Sequence, residues 1–295
     1  MEKSAMITIC GRPNVGKSTL TNALVGEKIA IVSDKPQTTR SRITAIVERG
    51  ETQLVLMDTP GFHKPRTRLG DYMVNVVSQS VADVDLVLLL VEPVAEMGKQ
   101  EEGLIARLRE SGAPAVLVIN KIDTVERARL LEVMALYSAA YDFAALIPIS
   151  AKTGEGIPEL LDEMEKYAVE GPHLFPDDMI TDQPERLICA ELVREKLLKC
   201  LDKEIPHGTA VEVTRFSERD NGVIDLEVTI YCEKDSHKGI IIGKKGAMLK
   251  RIGELARADI EKFTGAKVNL QTWVKVKENW RDSTSLLRSF GFKNE

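Results

Sequence analysis

Through its first 170 residues the chain alternates short apolar runs with amphipathic stretches. The runs AMITIC, RITAIVE, QLVLMD, DLVLLLV, APAVLVIN and ALIPIS are rich in aliphatic and β-branched residues. Between most of them apolar positions recur at the helical spacing of about 3.6 residues. This alternation predicts βαβ units and a mostly parallel sheet with helices on both faces. Only RGET separates RITAIVE from QLVLMD, which predicts an antiparallel hairpin at a sheet edge. Residues 171–184, GPHLFPDDMITDQP, hold three prolines and no period, and read as a linker. Beyond them the pattern changes to a long helix (ERLICAELVREKLLKCLDKE), two strands joined by ERDNG, a short helix running into GIIIGKKG, a second helix (AMLKRIGELARADIEKF), a strand (KVNLQTWVKV) and a terminal amphipathic stretch, RDSTSLLRSFGF. The expected layout is an α/β domain over 1–170, a linker over 171–184 and a smaller α+β domain over 185–295.

Composition changes this picture in one place. The 295 residues are 43% hydrophobic and 29% charged, an ordinary soluble balance with room for two cores. The net charge of -5 is spread unevenly: from Pro184 onward 21 Lys and Arg face 18 Asp and Glu, against 19 and 27 before it. Lys234–Glu295 alone carries 14 basic and 7 acidic residues and surrounds GIIIGKKG, which is where a polyanion would bind. The four cysteines, Cys10, Cys189, Cys200 and Cys232, lack any C-x-x-C spacing and suggest a reducing compartment with neither disulfides nor zinc. His63, His173, His207 and His237 show no ligand spacing. No apolar run reaches the roughly 18 residues of a membrane span, and the first strand starts too early to leave room for a signal peptide, so the expected location is the cytoplasm.

GRPNVGKS at Gly11–Ser18 fits G-x-x-x-x-G-K-[ST] between a strand and a helix. There the N–H groups of Gly11, Asn14, Val15, Gly16 and the helix start at Thr19 would wrap phosphates, Lys17 would reach the β and γ oxygens, and Ser18 would ligate Mg²⁺. DTPG at Asp58–Gly61 ends the third run; Asp58 can hold Mg²⁺ through water, and the Gly61 N–H can bond a γ-phosphate. NKID at Asn120–Asp123 ends the fifth. An Asp123 carboxylate can accept both donors of guanine's edge, which adenine lacks, so the base is guanine. Asn120 would brace the phosphate loop, the Lys121 stem would cover the base, and SAK at Ser150–Lys152 would offer the Ala151 N–H to the guanine carbonyl. In QTTRSR, Thr38 or Thr39 can reach Mg²⁺ only when the third phosphate is present, which makes the loop a switch, with Thr39 favoured. Arg40 and Arg42 beside it are candidates for an arginine finger in cis, but switch arginines of this kind are more often solvated, and that is the expectation here. A phosphate-loop kinase is disfavoured, because no phosphoryl acceptor site is visible. Taken alone, Gly243-Lys244-Lys245-Gly246 reads first as a plain turn.

These motifs together resemble the TrmE/Era group of translation-factor-type GTPases, and the remainder resembles a type II KH domain. The resemblance covers essentially the whole chain and implies a phosphate-loop GTPase domain followed by a KH domain. It implies that Gly243–Gly246 clamps the sugar-phosphate of single-stranded RNA, with charge from Lys244, Lys245, Lys250 and Arg251 and with Ile240, Ile241 and Ile242 lining the groove under the bases. It further implies GTP and GDP with Mg²⁺ as ligands, and as partner the 3′ region of 16S ribosomal RNA in the 30S subunit. It also implies a monomer, with peripheral membrane association left open. Catalysis would rest on Lys17, Thr39, Gly61 and Asn14. Phe62 stands where Ras-like enzymes place a water-orienting Gln, and Asn14 is the residue that in related GTPases helps bind K⁺ beside the phosphates. The alternative reading is a constitutive RNA-binding protein whose GTP site is structural.

Overall fold

The computed structural model describes residues 1–35, 37–61, 67–69, 71–73, 84–290 and 292. They form two compact units, one lying mainly within Met1–Asp182, the other comprising Gln183–Glu295 with short pieces of the first half, among them Ile31–Thr38.

The first unit is built on strands β1 (Lys3–Cys10), β2 (Ile43–Arg49), β3 (Thr52–Asp58), β4 (Leu86–Val91), β5 (Ala115–Ile119), β6 (Ala145–Pro148) and β7 (Val169–Glu170). They run in the order β2-β3-β1-β4-β5-β6, with β7 paired to the start of β1. The β1, β3, β4, β5 and β6 pairings are parallel, and β2 lies antiparallel to β3 at the edge, as RGET predicts. Helices α1 (Lys17–Val25), α2 (Lys99–Ser111), α3 (Arg127–Ala140) and α4 (Ile157–Glu165) are among those that flank it. The unbroken run LVLLLV of β4 follows from burial on both faces. Leu86, Leu88 and Leu90 join the core under α1 and α4 with Leu20, Leu24, Leu160 and Met164, while Val87, Leu89 and Val91 join the opposite core with Leu104, Leu108, Val133 and Tyr137. The parallel strands thereby bring their carboxyl ends, and the loops after β1, β3, β5 and β6, to one edge.

Residues 171–184 read as a linker, but the stretch up to Asp182 packs within the first unit. Gln53 Oε1 accepts from the N–H groups of Leu174 and Phe175 (both 2.9 Å), Ile46 N–H donates to Ile180 O (2.9 Å), and the Thr181 hydroxyl donates to Thr44 O (2.6 Å). The edge strand thus finds acceptors and donors in a segment without any period of its own.

The second unit holds α5 (Glu185–Cys200), β8 (Ala210–Glu218), β9 (Ile224–Cys232), α6 (Asp235–Ile242), α7 (Ala247–Thr264), β10 (Val268–Val276) and α8 (Thr284–Ser289). Its sheet runs β10-β9-β8, with β10 parallel and β8 antiparallel to β9. One face is covered by Leu192, Val193 and Leu197 of α5 and Ile252, Ala256 and Ile260 of α7. The other leaves Trp273 55% exposed. Trp280 is buried at 0% exposure, and its indole donates to Gly208 O (2.9 Å).

One expected site residue belongs to this core instead. Ile241, expected in the RNA groove, is 0% exposed and packs among the residues under α5 and α7, whereas Ile240 is 49% exposed. Consecutive residues of a helix point about 100° apart, so a run of three isoleucines cannot all face one groove. Ile241→Ala should therefore destabilise the chain by about 2–5 kcal/mol and Ile240→Ala by less than about 0.5 kcal/mol in urea unfolding.

Candidate functional site

The loop after β1 turns through Gly16 (φ 102°) directly into α1, whose first N–H groups face the loop. A Cβ on Gly11 would lie 2.5 Å from Leu90 O, and one on Gly16 would lie 2.3 Å from Asn120 Nδ2, so both positions exclude a side chain. Val15 is fully buried, Asn14 is exposed with φ 66°, and Thr19 is half-buried. Lys17 is 6% exposed; its ammonium donates to Gly11 O (3.1 Å) and Arg12 O (3.0 Å). Burial pulls that ammonium down from its ordinary value while Asp58 pulls it back up. The positive charge is thus held on the inner face of the loop.

Three oxygens expected at a metal converge beside it. The Ser18 hydroxyl donates to Asp58 Oδ2 (2.7 Å) and lies 2.8 Å from Thr39 Oγ1. Thr38 points elsewhere, its hydroxyl donating to Lys35 O (2.6 Å). Asp58 is 0% exposed, and its other oxygen, Oδ1, has no hydrogen-bond partner among the described residues. A buried carboxylate oxygen without a donor, next to two hydroxyls, suits a hard cation with oxygen ligands. Gly61 comes so close to the phosphate loop that a Cβ there would sit 2.9 Å from Pro13. Phe62 lies outside the described residues. Arg40, expected to be solvated, is 3% exposed.

The base side is tied to the same loop. Asn120, 2% exposed, donates to Val15 O (2.8 Å) and accepts from Ala151 N–H (3.0 Å), so a single amide joins three of the predicted motifs. Lys121 Nζ donates to Asn14 O (2.7 Å). Asp123 is exposed, and one of its oxygens accepts from the buried Ser150 hydroxyl (2.7 Å). That bond orients the carboxylate. Lys152 is exposed in the turn beyond Ala151. Sequence reasoning passes over Glu92, which follows β4 and pairs with both Arg12 and Lys121. Its only signal is its position at the carboxyl end of a strand.

In the second unit, Gly243 has φ 72° and a Cβ there would lie 2.7 Å from Met248 Cβ; Gly246 has φ 79°. The loop is closed by Gly246 N–H donating to Gly243 O (3.1 Å), with Lys245 also at positive φ (52°). Lys244, Lys245, Lys250 and Arg251 are all exposed, and Ile242 is half-buried. The tight turn therefore presents two ammonium groups and bare backbone at the start of α7.

Comparison with known proteins accounts for both units. The family described as 50S ribosome-binding GTPase matches residues 6–121, and the KH domain matches residues 204–281. The chain is 52% identical over 291 residues to GTPase Era of Ruminiclostridium cellulolyticum, covering 99% of this chain and 98% of that protein. It is 52% identical over 293 residues to GTPase Era of Clostridium kluyveri, covering 99% and 100%. Among solved structures it resembles a variant of Aquifex aeolicus Era bound to GDP and AlF4⁻, at 36% identity and a TM-score of 0.95 with 99% and 100% of the two chains covered. It also resembles Era in complex with MgGDPNP and nucleotides 1506–1542 of 16S ribosomal RNA, at 36% identity and a TM-score of 0.93 with both chains fully covered.

Burial pushes the Asp58 carboxyl up from 3.8 to about 6, against the pull of Lys17 and the Ser18 hydroxyl. Between about pH 4 and 6 the folded chain therefore binds this proton more tightly than the unfolded chain, and the contribution of Asp58 to stability falls as pH rises through that window. Nucleotide-free Asp58→Asn should lose that slope. Its stability should match the wild type near pH 4 and exceed it by at most about 3 kcal/mol at pH 7, read by denaturant titration across pH. Parallel curves would mean that Asp58 is ionised in the fold throughout.

Proposed function

We propose, from the premise that this chain belongs to the Era family of GTPases, that it is a GTP-hydrolysing switch that binds single-stranded RNA, the 3′ region of 16S ribosomal RNA, during assembly of the 30S subunit. The observation that carries the reading is the convergence of Ser18, Thr39 and Asp58 in one unit while a second unit offers the Gly243–Gly246 turn. In this reading Lys17 and the loop N–H groups hold the β- and γ-phosphates, and the Gly61 N–H faces the γ-phosphate. Asp123 selects guanine, with Ser150 fixing its orientation. Ser18 and Thr39 would ligate Mg²⁺ directly and Asp58 through water; the ion, when bound, offsets charge on the β- and γ-oxygens. Thr39 is the residue whose placement depends on the third phosphate, so hydrolysis would release the segment that carries it. The RNA backbone would lie against Gly243 and Gly246, with Lys244, Lys245, Lys250 and Arg251 on its phosphates and the exposed Ile240 toward the bases. We also assign the chain to the cytoplasm, a reading supported by four cysteines that are all free.

The alternative, a constitutive RNA binder with a structural GTP pocket, makes the opposite forecast about nucleotide state. Binding of a 16S 3′-end fragment should differ between GTP-analogue and GDP forms, and equal affinity in both would favour the alternative. Replacing Lys244 and Lys245 with Asp should abolish RNA binding and leave GTP hydrolysis in place. For the milder Ala pair the salt slope of binding should fall by about 0.7 for each phosphate that the side chains no longer neutralise. RNA affinity surviving the Asp pair would place the clamp elsewhere.

We extend the ligand set to K⁺, supported by Asn14, which is exposed in the phosphate loop while Lys121 takes its carbonyl. A monovalent cation beside the phosphates would offset the charge that develops between them. Single-turnover hydrolysis should then run faster in KCl than in NaCl at equal ionic strength, and Asn14→Ala should remove the difference. Equal wild-type rates in the two salts would sink the idea.

A further inference from the structure

Glu92 directly follows strand β4 and belongs to none of the nucleotide motifs, yet its carboxylate meets two cations from two different loops. Oε2 pairs with Arg12 of the phosphate loop and Oε1 with Lys121 of the NKID stretch. Lys121 is also anchored on Asn14 O (2.7 Å), and Arg12 O accepts from Lys17 (3.0 Å). On its far side Arg12 Nε lies 3.4 Å from Oε1 of Glu101, which is 4% exposed on α2. Burial alone would raise the Glu92 carboxyl, but Lys121 and Arg12 outweigh it and leave it below the ordinary carboxylate range. The group is therefore an anion at neutral pH.

We propose that Glu92 is a positioning residue that ties the base-binding loop to the phosphate loop, and that this tie sets how long a guanine nucleotide stays bound. Without the carboxylate, the Arg12 and Lys121 cations would face one another with no anion between them, and like charges at such range repel. Lys121 is the residue whose stem covers the base, so its displacement opens the face by which the nucleotide leaves. Singly, half-exposed ion pairs contribute little. Here one carboxylate joins three loops, because Arg12, Lys121 and Glu92 follow β1, β5 and β4, and loss of a shared partner is felt by all of them.

The inference rests on the guanine-nucleotide reading of the site, and the test separates the two. Release of fluorescently labelled GDP is measured from the full chain at fixed Mg²⁺ for wild type, Glu92→Gln and Glu92→Ala. Both variants should release it about fivefold to tenfold faster. KM for GTP should rise, and kcat should change several-fold less than the release rate. The Gln variant keeps the shape and loses the charge, so it should behave as the Ala variant does. Adding Arg12→Gln to Glu92→Gln should bring no further acceleration, since the repulsion on Lys121 disappears with the Arg12 charge. Wild-type release from the Gln variant with fast release from the Ala variant would mean that Glu92 only fills space, and unchanged release from both would remove it from the site; either result overturns the proposal and leaves nucleotide binding itself intact. A wild-type chain unable to hold labelled GDP would overturn both readings.

Discussion

The nucleotide side of this protein depends on the side chain of Asn120. Its amide spans the gap between Val15 O and Ala151 N–H, almost wholly out of water, and its Nδ2 occupies the space that any side chain at position 16 would need. A buried polar group with both ends satisfied fixes distance and orientation together, and losing either end leaves an unpaired group inside the fold. The loop after β1 and the loop after β6 are therefore set relative to each other by a residue that precedes Asp123 by three positions. Gly16 has to be glycine for two reasons at once, its left-handed backbone and the amide pressed against it.

A related constraint governs the corner around Asp58. Asp58 is placed where it is hardest to keep charged, and its neighbours, the Lys17 ammonium and the Ser18 hydroxyl, only partly compensate. A carboxylate held in that condition gains more from a cation than one already surrounded by donors. The penalty falls on the fold when no ligand is present.

Much of this is legible in the sequence because the relevant signals are local. The motifs sit at strand ends, and strand ends are marked by where apolar runs stop, as with MITIC before Gly11 and VLVIN at Asn120. What escapes depends on contacts that have no period. Strand β7 is two residues long, and 171–182 owes its place to side chains such as Gln53 that reach the backbone of another stretch. Ile241 cannot be told from Ile240 and Ile242 in the sequence, because the direction of a helix relative to its sheet is a tertiary property. Glu92 and Arg12 each look like an ordinary surface charge until the fold places Lys121 beside them. Arg40 escapes for the same reason, since exposure of a loop residue is decided by what covers the loop.

The chain contains two tryptophans, Trp273 and Trp280, and both lie in the second unit. One stands in solvent on the open face of the sheet, and the other is enclosed with its indole bonded to Gly208. The first unit, with all of its nucleotide chemistry, is consequently dark when the protein is excited at the red edge of its absorption. Nucleotide loading has no chromophore of its own to perturb there, so any change in emission that follows it originates in the second unit. The molecule carries a built-in optical channel that listens to one half while the other is being addressed.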